Sequence, residues 1–177
     1  VDNLTFPLPL AGVHNASNYL AALAVAKTLN LDLSRLQKGI AVELPGARSR
    51  RYTLDNDIVL LDETYNAGVE SMIASLQLLK DTSGDRHIAV LGTMKELGEQ
   101  SEELHRQVGE MVAQLNLDYL FVLVDDPETE AIATAAQSVP SECFQDKTAL
   151  VERLKVMLAP RDRVLFKASN SVGLNEV

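Results

Sequence analysis

The sequence is poor in the side chains that metal and redox chemistry require. Cys143 is the one cysteine in 177 residues, so neither an intrachain disulfide nor a cysteine-based zinc cluster can form. The three histidines, His14, His87 and His105, are scattered along the chain, which argues against a structural metal site. Long apolar runs are missing as well. None approaches the ~20 residues that span a bilayer, and the first residues lack the basic-then-apolar order of a signal peptide. A cytoplasmic protein without a membrane span is the expectation. Cations are outnumbered, with 16 Lys and Arg against 25 Asp and Glu and a formal net charge of −9. Nucleic acid is therefore not an expected partner, because binding its backbone draws on clustered cations. Arg48, Arg50 and Arg51 do crowd together in PGARSRR. They suit a small anion such as phosphate or a solvated hairpin arm, and charge alone favours the arm slightly. No GxxxxGK[ST] phosphate loop, GxGxxG turn, GxSxG elbow or HExxH helix is present, so the chain shows no self-contained catalytic engine.

What is there is enough for a core, since 46% of the residues are hydrophobic and the length suits one domain or one plus part of another. VDNLTFPLPLAG predicts a short edge strand running into a turn. From Asn15 to Leu29 the alanine- and leucine-rich stretch predicts a helix, with Leu20, Leu23, Ala24 and Ala26 as core candidates and Asn15 or Ser17 as its N-cap. Asp32 can cap a second short helix carrying Leu33, Leu36 and Ile40, and Pro45-Gly46 then breaks the chain. A boundary near Leu44 divides residues 1–43 from residues 44–177.

Beyond that break, RYTL and DIVLL flank a turn at Asp55-Asn56. The runs IVLL, IAVL, LFVLV and VLF are short and continuously apolar, as strands covered on both faces are. Between them apolar residues recur at helical spacing: Val69, Met72, Ile73, Leu76 and Leu79; Leu104, Val108, Met111, Val112 and Leu115; Ile132, Ala135 and Ala136; Leu150, Leu154, Met157 and Leu158. Ser101, Asp126 and Asp146 offer N-terminal capping chemistry. The alternation predicts an α/β, doubly wound, mostly parallel sheet with helices on both faces, dinucleotide-binding-like and preceded by a helical segment.

In such a sheet ligands bind beyond the carboxyl ends of the strands. The polar clusters DETYN, GTMKELG, DDPE and KASNS fall there. DDPE reads as a capping loop, whereas DETYN carries more polar groups than capping needs. Asn15 and Asn18 have amides suited to adenine, Asp62 can accept ribose hydroxyls, and Arg48 can pair with phosphate. Each also has a plain alternative: Asn15 and Asp62 as helix caps, Arg48 as a solvated cation.

In order along the chain, GVHNASN, LPGAR, LLDETYNAGVESM, AVLGTMKELGEQSEELHRQVG and VLFKASNSVGLNE resemble the signature blocks of the Mur ligases. The YNA and MKELG blocks resemble most the members that join D-alanyl-D-alanine to UDP-N-acetylmuramoyl-tripeptide. The resemblance implies an ATP-dependent ligase of peptidoglycan precursor synthesis that works through an acyl phosphate. It implies that residues 1–43 end a central ATPase domain and residues 44–177 form the C-terminal dinucleotide-fold domain, a fragment inactive alone and without a catalytic residue of its own. ATP would meet Asn15, Asn18, Arg48 and Asp62; substrate would meet Tyr65, Asn66, Lys167 and Ser169. Mg2+ would be held mainly by the rest of the central domain. The blocks depart from the family at Ala47, Gly68-Val69, Thr93 and Asn170, where it carries Gly, Asn-Pro, Asp and Arg. Two alternatives remain at this point: another amide ligase of the superfamily, such as one that builds polyglutamate tails, and a non-catalytic nucleotide-sensing or docking module.

Overall fold

The computed structural model describes residues 4–10, 12–42 and 50–177. The chain divides into two compact units, Val1–Leu44 and Pro45–Val177.

The first unit is helical. Its helix α1 runs Val13–Thr28 and starts at Gly12, whose φ of 102° is one that glycine adopts without steric cost. Asn15 and Ser17 therefore lie inside the helix, two and four residues past its first residue, and neither caps it. Residues 4–8 form no strand, in keeping with Pro7, which has no amide hydrogen to give a ladder. Of the core candidates only Leu23 is buried; Leu20 is 57% exposed, because the unit's described residues cover only one side of α1. After it, Asp32 caps a 3-10 turn over Leu33–Lys38 by accepting from the Ser34 amide at 3.0 Å.

The second unit holds β1 (Arg50–Thr53), β2 (Val59–Asp62), α2 (Val69–Asp81), β3 (Arg86–Gly92), α3 (Ser101–Gln114), β4 (Tyr119–Leu123), α4 (Glu130–Ala135), β5 (Ser141–Phe144), α5 (Lys147–Met157) and β6 (Asp162–Lys167). The sheet order is β1-β2-β6-β3-β4-β5. Only the β1–β2 pair is antiparallel; β2–β6, β6–β3, β3–β4 and β4–β5 are parallel. This is the doubly wound, mostly parallel arrangement that the alternation of strands and helices predicts. The expected turn at Asp55-Asn56 is a 3-10 turn with Asn56 at φ 59°, a left-handed conformation that asparagine tolerates.

Strand residues alternate between two apolar layers, as the period of two dictates. Val59, Leu61, Ala89, Leu91, Leu120, Val122 and Leu165 face Met72, Leu76 and Leu79 of α2, Val108 and Val112 of α3 and Ile132 of α4. Ile88, Val90, Phe121, Leu123, Val164 and Phe166 face Leu150 and Leu154 of α5. Each such side chain, once fully buried, contributes about 1.5–3 kcal/mol. β5 has no counterpart among the expected strands. Its SECF carries alternately exposed residues at the sheet edge, so it lacks the continuous apolar run of its neighbours.

Every residue of β6 is buried, charged ones included. At its start the fully buried Asp162 takes a two-pronged contact from Arg86, Nε to Oδ1 at 2.8 Å and Nη2 to Oδ2 at 2.6 Å. Beside it Arg163 donates to the carboxylate of Asp57 at 2.8 Å and to the Ser83 carbonyl at 2.5 Å. Removing one member of a buried pair leaves the other charge unpaired, at about 3–5 kcal/mol. Arg86 is itself about a third exposed and Asp162 keeps the Ala159 amide, so Arg86→Met is expected to lower unfolding free energy by less than that, about 1–3 kcal/mol, read as a fall in the urea midpoint at unchanged slope.

Candidate functional site

Four strand tips meet at the carboxyl edge of the sheet, and hydrogen bonds lace them together. The β2 tip turns first. Asp62 is half-buried and its Oδ1 accepts from both the amide, 3.1 Å, and the hydroxyl, 2.6 Å, of Thr64. That local turn buries Thr64 and sends Tyr65 and Asn66 outward, Tyr65 being 38% exposed. Asn66 folds its own Oδ1 onto the Ala67 amide at 2.9 Å. Helix α2 then starts at Gly68, whose amide donates to Ser71 Oγ at 3.1 Å while the same hydroxyl donates back to the Gly68 carbonyl at 2.9 Å. The proline-free start is thus supplied with a capping contact of its own.

The β6 tip lies between the tips of β2 and β3 and holds both. Lys167 is buried and donates to the carbonyls of Asn66, 3.0 Å, and Glu63, 3.5 Å. Burial pushes its ammonium below the usual lysine value, with the nearby Glu63 opposing that shift. Two residues on, the buried Ser169 accepts from the Lys95 amide at 2.9 Å, and its own amide donates to the Thr93 carbonyl at 3.0 Å.

The β3 tip is joined in turn to β4. The buried Thr93 hydroxyl donates to Asp125 and lies 2.5 Å from the Thr129 hydroxyl. Lys95 pairs with Asp125 at 2.6 Å and Asp126 at 2.5 Å. Burial alone would raise the Asp125 carboxyl, but Lys95 and Thr93 outweigh it and hold the group below the usual carboxylate range. The capping expected of DDPE is not made by its side chain: Asp126 forms no cap bond to the 3-10 turn that follows and pairs with Lys95 instead. Ser101 likewise starts α3 without capping it; its hydroxyl donates to Glu128 at 3.1 Å. Asp146 does cap, accepting from the Ala149 amide at 2.8 Å.

Among the described residues, concavities lie on two sides of this frame. One of about 150 Å³ has an apolar lining of Leu60, Phe166 and Leu174 with Tyr52 and Asp62 beside them. The other, about 810 Å³, lies between α3 and α4 and is lined by Glu102, Glu110, Glu128 and Glu130 with Arg106. Its carboxylates are of the wrong sign for phosphate groups, so the smaller cavity at the strand tips is the better ligand position.

Of the residues singled out in the sequence, Asp62, Tyr65, Asn66, Lys167 and Ser169 come together at this edge. Asn15 and Asn18 lie on α1 of the first unit, Asn15 half-buried and Asn18 exposed; Arg48 falls outside the described residues. Both lysines of the edge are engaged within the chain, Lys167 by carbonyls and Lys95 by carboxylates. Sequence reasoning passed over Lys95, Asp125 and His105. A signal for His105 was available in its spacing, since it joins Val108 and Val112 in one buried stripe of α3. Among the described residues no group of three or more His, Cys, Asp or Glu is placed to hold a metal ion.

A family model described as "Mur ligase, glutamate ligase domain" matches residues 47–170. The UDP-N-acetylmuramoyl-tripeptide:D-alanyl-D-alanine ligase of Synechocystis is 58% identical over 177 residues, covering all of this chain and 39% of that protein. The ligase of the same name from Escherichia coli is 40% identical over 96% of this chain and 37% of its own length. A MurF ligase from Thermotoga maritima, solved in complex with ADP, superposes with a TM-score of 0.79 at 29% identity, covering 95% of this chain and 38% of that one. The chain thus spans under two-fifths of the length of these relatives.

The lacing yields a test. Exchanging Lys167 for an apolar chain of similar length removes the cost of burying its charge but leaves the Asn66 and Glu63 carbonyls without their donor. Lys167→Met is expected to lower global stability by about 1–3 kcal/mol, and amide exchange at residues 63–67 should speed up at least about tenfold as the loop loses both contacts.

Proposed function

The chain belongs to the Mur ligase family, and on that premise we propose that it is the C-terminal portion of an ATP-dependent ligase joining D-alanyl-D-alanine to UDP-N-acetylmuramoyl-tripeptide. The observation that carries this reading is the 58% identity, over the whole chain, to the Synechocystis ligase of that name. In the complete enzyme ATP would phosphorylate the tripeptide carboxylate, and the dipeptide amine would attack the acyl phosphate and expel phosphate. Residues 1–43 would end the central ATPase domain, and residues 44–177 would form the domain that closes over the nucleotide. Such closure keeps water from a hydrolysable acyl phosphate.

Within this chain the roles are those of recognition. Asp62, at the rim of an apolar cavity, would accept hydroxyl hydrogens of the ribose. Asn15 and Asn18 would meet adenine, and Arg48 the phosphates. Tyr65 and Asn66 project outward beside Asp62, where nucleotide and incoming dipeptide would meet. Lys167 and Ser169 would serve substrate indirectly, by holding the loops that present those residues. Mg2+ would be supplied with ligands chiefly by the remainder of the central domain. The acidic balance, −9 at neutral pH, suits these small-molecule partners and disfavours nucleic acid. A cytoplasmic setting suits a ligase fed by ATP and a UDP-linked precursor. No helix among the described residues is long and apolar enough to cross a membrane.

The test uses the complete enzyme with candidate amines. Phosphate release with D-alanyl-D-alanine, and none with L-glutamate or a diamino acid, is the expected outcome; the reverse pattern would sink the assignment. Asp62→Ala should raise KM for ATP about ten- to a hundredfold, the worth of hydrogen bonds to a charged group, with KM for the dipeptide little changed.

A further inference from the structure

His105 has no part in the ligase reading, yet it is fully buried, 0% exposed, beneath the loop that leaves β3. Both of its ring nitrogens are occupied. Nε2 lies 2.9 Å from the Met94 amide; because that amide can only donate, Nε2 accepts and carries no proton. Nδ1 lies 2.7 Å from the Ser101 carbonyl; because that carbonyl can only accept, Nδ1 carries the proton. The neighbours thus select one neutral tautomer. The next amide along, that of Lys95, donates to Ser169 Oγ at 2.9 Å, so the held loop is the one that docks on the β6 tip.

We propose that His105 is a positioning residue whose neutral imidazole, protonated at Nδ1 only, is the acceptor that fixes residues 93–95 against β6, and whose protonation at Nε2 releases that loop. A second ring proton would point at the Met94 N–H, donor against donor, and the contact would open. The groups that face the ring are the Ser101 carbonyl and hydroxyl from α3 and the carboxylates of Asp125, Asp126 and Glu128 from the segment after β4. Burial outweighs them and holds the imidazole below the ordinary 6.5. The sign follows directly. The unfolded chain takes up the proton first as pH falls below about 6.5, so the stability from the neutral ring is complete above that value. It is lost progressively as pH falls toward the folded value.

The inference rests on contacts inside the second unit and stands or falls independently of the ligase reading. Long-range proton–nitrogen NMR of the imidazoles in the nitrogen-15-labelled chain tests it over an acid titration. The expected result is a protonated Nδ1 and a bare Nε2 at neutral pH, with a midpoint below 6.5. The Met94 and Lys95 amides should shift with that midpoint and exchange about tenfold faster below it, while the Arg163 amide at the opposite end of the sheet stays unchanged. A proton on Nε2 at neutral pH, or a Met94 amide indifferent to the titration, would overturn the proposal. His105→Gln, where it folds, should abolish the pH response of both amides. A response that persisted would assign it to a group other than His105 and would equally overturn it, and if the variant fails to fold the wild-type titration alone decides.

Discussion

The charged ends of β6 are the constraint on which the rest of the second unit depends. This strand comes last in sequence yet lies between β2 and β3 in the sheet, with all of its residues buried. An unpaired charge cannot be buried there cheaply. Asp162 finds its partner on β3, Arg163 finds one in the turn before β2, and Lys167 reaches the loop after β2. The partners come from both flanks, so β6 is accommodated only when both halves of the sheet are in register. Covalent order alone would leave those halves as separate β–α units.

This arrangement determines what the ligand edge can offer. Lys167 and Ser169 extend the central strand into its neighbours' loops, and Thr93 with Lys95 carries the connection on to β4. The strand tips therefore behave as one frame. Its lysines are engaged inside the frame, and beside them the edge presents the Asp62 carboxylate, the exposed Tyr65 and Asn66, and a small hollow lined in part by Leu60, Phe166 and Leu174.

Much of this architecture was legible along the chain. IVLL, IAVL, LFVLV and VLF are strands because parallel strands covered on both faces must be apolar throughout, and the helices between them repeat at three and four for the opposite reason. The misreadings share a cause. SECF is an edge strand with alternating exposure, so burial did not write itself into its composition. Leu20 and Ala24 look like core, but which side of α1 is covered depends on what packs there. Asp126 and Ser101 have capping chemistry and use it for long-range contacts instead.

By itself, then, the sequence determined the layer order, the polar loops and the family, because all three depend on residue types at short spacing. Only the tertiary structure decided how those polar groups are spent. Lys167 and Asn66 are separated by 101 positions in sequence, and Met94 meets His105 across a turn. Whether a buried lysine binds a substrate or a neighbouring carbonyl is set by which acceptor lies within about 3 Å. That distance exists only once β6 has taken its place between β2 and β3.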